Sequence, residues 1–135
     1  ARIMVARAAI KSGNESKARS AYKEVQKTAT GELGAEALYY DAYFKNRDKN
    51  FEASNAAVQI LAKDFSGYKM WGAKGLVLMA KNFYALGDAY QATYILENVI
   101  KNFQNYPDIV SEAKAELSKI KAQEAKTNSS VETNN

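Results

Sequence analysis

Apolar residues recur along this chain at the spacing of one helix face, and the runs are broken by short, turn-like intervals. Ile3, Ala6 and Ile10 share a side and give way to Gly13-Asn14, where glycine suits a helix C-terminus and Asn14 an N-cap. Ala18, Tyr22, Val25 and Ala29 form the stripe of a second helix. Thr28 to Gly34 reads as a connection because it holds two glycines. A third helix over about Ala35 to Lys45 carries Leu38, Tyr39, Tyr40, Ala42, Tyr43 and Phe44, followed by a polar break at Arg47-Asp48-Lys49-Asn50. A fourth runs from Phe51 through Val58 and Leu61 to Ser66-Gly67, and a fifth opens at Trp71 and closes at Gly87. Asp88 can cap a sixth, with Ala92, Leu96 and Val99 inward, and Pro107 suits the start of a last helix. From Lys126 the chain is almost wholly polar, which predicts a disordered tail over 126–135.

A small residue followed by an apolar run occurs at Ala18, Ser54 and Ala92, spaced 36 and then 38 residues apart. A period of this size in an all-helical pattern predicts an all-α stack of antiparallel helix hairpins. The units fall at about 1–33, 34–69 and 70–105, with a capping helix over 107–125, so the repeat domain spans 1–125. Two registers are open for the second unit. One turns Leu38, Ala42, Phe51, Ser54, Val58 and Leu61 inward, and the other Tyr40, Phe44, Ala53 and Ala57.

Leu76, Ala80, Phe83, Gly87 and Ala92 resemble the tetratricopeptide repeat (TPR) pattern: a large residue, a small one, an aromatic, a turn glycine and an alanine in the second helix. The units around Ala6, Gly13 and Ala18 and around Leu38, Ala42 and Ser54 are more degenerate versions. The resemblance implies a right-handed superhelical stack acting as a non-enzymatic scaffold, with a protein or peptide partner in its concave groove. Glu36 to Tyr40, Trp71 and the run from Gly87 to Ala92 are also similar to the C-terminal repeats of longer TPR proteins from Bacteroidetes. Many of those act at the cell envelope, so the resemblance leans toward a bacterial envelope or periplasmic location. The chain opens on Ala1 in helical pattern, which reads as part of a longer array. Its N-terminal edge, Ile3, Val5 and Ile10, is expected to be exposed and to receive upstream repeats or a second copy.

In TPR arrays the first helix of each hairpin lines the groove. The resemblance therefore implies a peptide-binding face of Arg7, Lys11, Tyr39, Tyr43, Asn46, Arg47, Lys74, Lys81 and Tyr84, with Glu36 and Val77 beside them. Tyrosine beside arginine and lysine suits an extended, acidic peptide. The Lys/Asn pair that some TPR domains use to clamp a terminal carboxylate is missing. Its positions hold Ile3/Arg7, Tyr39/Tyr43 and Val77/Lys81.

Composition narrows the chemistry. With no Cys and no His, thiolate metal sites, disulfides and the usual general base are absent, so neither catalytic nor metal-ligating residues nor a cofactor are expected. The one-turn pairs Glu32/Glu36 and Glu112/Glu116 read as solvated faces, and Asp41 as the acid pushed toward the interior. Gly72 and Gly75 read as a close helix contact, since no strand or Lys-Ser/Thr ending supports a phosphate loop. Trp71 reads as packing between hairpins. No apolar run is long enough to span a membrane. A net charge of +4 and a pI near 9.2 leave an alternative reading, a basic helical-repeat module binding RNA or another polyanion through Tyr39, Tyr43 and Tyr84.

Overall fold

The structure, a computed structural model, describes residues 2–133. Among the described residues seven helices follow one another without a strand: α1 (Arg2–Ser12), α2 (Glu15–Thr28), α3 (Gly31–Arg47), α4 (Phe51–Asp64), α5 (Lys69–Ala85), α6 (Ala89–Asn102) and α7 (Pro107–Thr133). The pairs α1/α2, α3/α4 and α5/α6 form successive hairpins, and α7 packs on the last of them. None of these helices is long and apolar enough to cross a membrane.

The repeat extends to the turns. Gly13, Lys49 and Gly87 have φ of 77°, 62° and 87°, and each stands five residues before one of the small residues Ala18, Ser54 and Ala92. After each, an amide reaches back to close the helix: Asn14 to Ala9 O at 2.9 Å, Asn50 to Lys45 O at 2.8 Å and Asp88 to Phe83 O at 2.8 Å. Lys49 takes a left-handed conformation without glycine's freedom, which is why the second turn reads only as a polar run. Asn14 and Asp88 cap as expected, accepting from Lys17 N and Gln91 N.

Beyond the turns, small residues sit where two helices cross. Ala6, Ala42 and Ala80 in the first helices and Ala18, Ser54 and Ala92 in the second are all 0% exposed. The register of the second unit follows: Leu38, Ala42, Ser54, Val58 and Leu61 are inside, joined by Phe44 and Ala57, while Phe51, Tyr40 and Ala53 are half-buried.

Several expectations are corrected. α3 begins at Gly31, not near Ala35, because Gly34 serves helix packing: a Cβ there would stand 2.9 Å from the Phe65 ring. The tail expected to be disordered from residue 126 instead continues α7 to Thr133, and residues 134 and 135 lie outside the described residues. Ile109, Val110, Ala113 and Ile120 anchor that helix in the core, so each further turn propagates from an existing nucleus rather than starting one. Ile3, Val5 and Ile10 are half-buried on the first unit's core, and the exposed apolar side chain at that edge is Met4, at 64%. The acid that enters the interior is Glu36, 3% exposed. Asp41 stays partly exposed and accepts from Lys45 at 2.9 Å.

Along the stack, α3 packs on α5 and α5 on α7, whereas α2, α4 and α6 make no comparable contact with one another. α3, α5 and α7 thus form the tighter, inner layer, which α1 joins through the Arg7–Glu36 pair, and the even-numbered helices form the splayed outer layer.

Candidate functional site

The inner layer carries the residues singled out from the sequence, and most of them join one unit to the next. Arg7 on α1 forks onto Glu36 on α3, with Nε at 3.0 Å and Nη2 at 2.8 Å from its two oxygens. Tyr22 donates its hydroxyl to the same carboxylate at 2.6 Å. Burial alone would push the Glu36 carboxyl up, but donation from Arg7 and then Tyr22 outweighs it and holds the group below its ordinary value. Burial, reinforced by Glu36, raises the Tyr22 phenol, which stays neutral and donating.

Asn46 donates to Asn82 on α5 at 2.8 Å, Arg47 to Glu15 at 2.9 Å, and Lys81 to Glu112 on α7 at 2.9 Å. Lys74 lies over the rings of Trp71 and Tyr39, 4.9 and 5.2 Å from their centroids. Tyr39 and Tyr43 are half-buried, their rings 6.3 Å apart, and Tyr39 also meets Trp71 at 5.6 Å. Burial raises the Tyr39 phenol as well. Tyr84 is half-buried against the third unit's core, and Val77 is inside it. Lys11 is exposed and forms no ion pair among the described residues.

A cleft of about 350 Å³ opens on this layer between α1 and α5, over α3. Ile10 and Met70 form its sides, Tyr40 and Trp71 its aromatic surfaces, and Arg7 and Glu32 its charged members, with the bonded Tyr22–Glu36 pair behind. A second cleft of about 220 Å³ shares Glu32, Met70 and Trp71 and extends past Lys69 to Tyr106. Sequence reasoning did not find Ile10, Glu32, Tyr40 and Met70 as groove residues. Glu32 and Met70 stand in the first turns of α3 and α5, Tyr40 lies in the middle of α3 and Ile10 near the end of α1, so they come together only once the hairpins are stacked.

Trp71 is 8% exposed, and it packs back at an angle on Tyr39 and Tyr40 of the preceding hairpin. Its indole Nε1 is buried without a hydrogen-bond partner, alone among the side-chain nitrogens and oxygens of the described residues. Leaving such a donor unpaired costs about 1–3 kcal/mol.

Another cleft, of about 400 Å³ between α2 and α3, is lined by Arg19, Lys23, Lys45, Asp41 and Asp48, whose charges are largely spent on one another in the Arg19–Asp48 and Lys45–Asp41 pairs. No group of three acidic residues among those described is placed to hold a metal ion. Compared with protein-family models the chain matches none, and curated proteins likewise provide no match.

Proposed function

We propose that this chain is a non-enzymatic scaffold of the TPR type whose inner layer holds an extended, acidic segment of a partner protein. The observation that carries the reading is the cleft pair on the inner layer, faced by Ile10, Tyr40, Met70 and Trp71 beside the bonded Arg7–Glu36–Tyr22 cluster, with Lys69 on its border and Lys11 one turn beyond Arg7 on α1. Lys11 on α1 and Lys69 on α5 are exposed and unpaired among the described residues, and Lys74 lies over aromatic faces while its charge also helps to hold the Glu36 carboxyl down. Arg7, Asn46, Arg47 and Lys81 are committed to neighbouring units and act as struts that keep the groove in shape. The alternative of RNA binding is less well supported, because Tyr39 turns its ring onto Tyr43 and Trp71, and Tyr43 onto Tyr39, Tyr40 and Phe44, rather than outward as stacking platforms.

Charge reversal tests the reading. With the three substitutions Lys11→Glu, Lys69→Glu and Lys74→Glu combined, affinity for the peptide acetyl-Asp-Glu-Leu-Glu-Asp-amide is expected to fall at least about tenfold at low salt, measured by calorimetry. The pair Lys63→Glu and Lys101→Glu, on exposed positions of α4 and α6, is expected to leave it within about twofold. Equal losses in both variants would mean that only net charge matters and that the inner layer is not the binding face.

A further inference from the structure

We infer that the cleft between α1 and α5 is an anchor subsite for one uncharged, apolar side chain of the bound segment, with acidic residues on either side of it. This rests on the inner-layer reading above and goes beyond it by assigning the residue type that enters.

Three observations lead there. First, four of the residues lining the cleft, Ile10, Met70, Tyr40 and Trp71, offer apolar and aromatic surface that rewards apolar contact. Second, the Arg7 and Glu36 charges bordering the cleft are spent on each other, so an ion entering it would lose water without gaining a free partner from that pair. Glu32 further disfavours a carboxylate there, and Lys74 over Trp71 an ammonium. Beyond the cleft, Lys11 follows Arg7 by one turn on α1 and Lys69 lines the adjoining cleft on α5, both without ion pairs among the described residues. The acid Glu32 lines the clefts themselves, so acidic residues of the segment fall outside the anchor position.

Third, the Trp71 indole N–H is a buried donor with no acceptor, on a residue that lines both clefts. Native folds retain few such groups, and each calls for an explanation. A main-chain carbonyl of an extended segment, brought in by an anchored side chain, supplies the missing acceptor. Because the nitrogen is closed to solvent in the free protein, the ring must shift to take it. Binding at this subsite is therefore coupled to a reorientation of Trp71.

Trp71 is the only tryptophan, so its indole N–H gives a single resonance in a nitrogen–proton correlation spectrum. Titration with acetyl-Asp-Glu-Leu-Glu-Asp-amide is expected to move that resonance saturably downfield. Replacing the peptide's leucine by alanine is expected to weaken binding about tenfold or more, and replacing its acids by lysines to abolish it. Trp71→Phe, which keeps an aromatic ring without the donor, is expected to weaken binding about threefold or more, and Ile10→Trp to block the cleft.

If the leucine and alanine peptides bind equally well and the indole resonance stays still, while backbone signals of α3 and α5 respond, the subsite is overturned and the groove reading survives. If the lysine peptide binds as well as the acidic one, the assigned chemistry is wrong. Absence of any response on the inner layer would overturn the subsite and the groove together.

Discussion

Asn82→Leu is expected to destabilise the fold by about 3 kcal/mol, lowering the thermal midpoint by roughly 10 °C. Asn82 is 0% exposed and is the centre of a polar cluster joining the second and third hairpins. Its Nδ2 donates to Ser54 Oγ at 2.8 Å and Asn55 Oδ1 at 2.9 Å, and its Oδ1 accepts from Asn46 at 2.8 Å. Ser54 in turn donates to Ala42 O at 2.7 Å. Leucine has a similar shape but leaves these buried groups without their common partner.

The first and second hairpins meet differently. One repeat earlier, the positions of Asn82, Asn55 and Ser54 are held by Phe44, Arg19 and Ala18. There Phe44 and Ala18 share the core and the Arg19 guanidinium lies 4.8 Å from the Phe44 ring centroid. One interface is thus solved with an aromatic over alanine, the other with an amide over serine. Ser54→Ala combined with Asn82→Phe, which imports the first solution, is expected to recover at least about 1 kcal/mol relative to Asn82→Leu in chemical denaturation. A single Asn82→Leu that unfolds at the wild-type denaturant midpoint would show that the cluster contributes nothing.

Gly75→Val is expected to cost about 2–3 kcal/mol by the same measurement. A Cβ at Gly75 would lie 3.0 Å from Leu61 Cδ2 and 3.2 Å from Val58 Cγ1. Leu61 and Val58 are 0% and 1% exposed, so neither has open space to retreat into. The other glycine of the pair behaves oppositely: nothing lies within 4 Å of a Cβ at Gly72, so Gly72→Ala is expected to be neutral or to stabilise by up to about 1 kcal/mol through helix propensity. Equal effects at the two positions would contradict the close approach of α4 and α5.

The hairpins and their boundaries were legible because they rest on local chemistry: Gly13, Asn14, Gly87, Asp88 and Pro107 punctuate the helices, and the 36- and 38-residue spacings align their small residues. What was illegible depends on which hairpin faces which. Glu36 looks like a surface acid until Arg7 and Tyr22 arrive from another unit to satisfy it. Gly34 looks like a turn until Phe65 comes down on it, and Asn82 like an ordinary polar helix residue until Ser54 and Asn55 meet it. For the candidate groove the resemblance placed Arg7, Lys74 and their neighbours on the inner layer, but periodicity carries no information on whether such a side chain points into the groove or braces the next helix. Four of them brace.

The most direct test of the account is the footprint of a bound acidic segment. The rival surface is distinct: on the outer layer Tyr90 and Tyr94 of α6 are 79% and 58% exposed and present an aromatic patch one helical turn apart. Amide hydrogen exchange with and without a saturating concentration of acetyl-Asp-Glu-Leu-Glu-Asp-amide separates the two. The account predicts added protection at the first turns of α3 and α5 and in α1 around Ile10, with α4 and α6 unchanged. Protection confined to α6 around Tyr90 and Tyr94, with the odd-numbered helices unaffected, would contradict it.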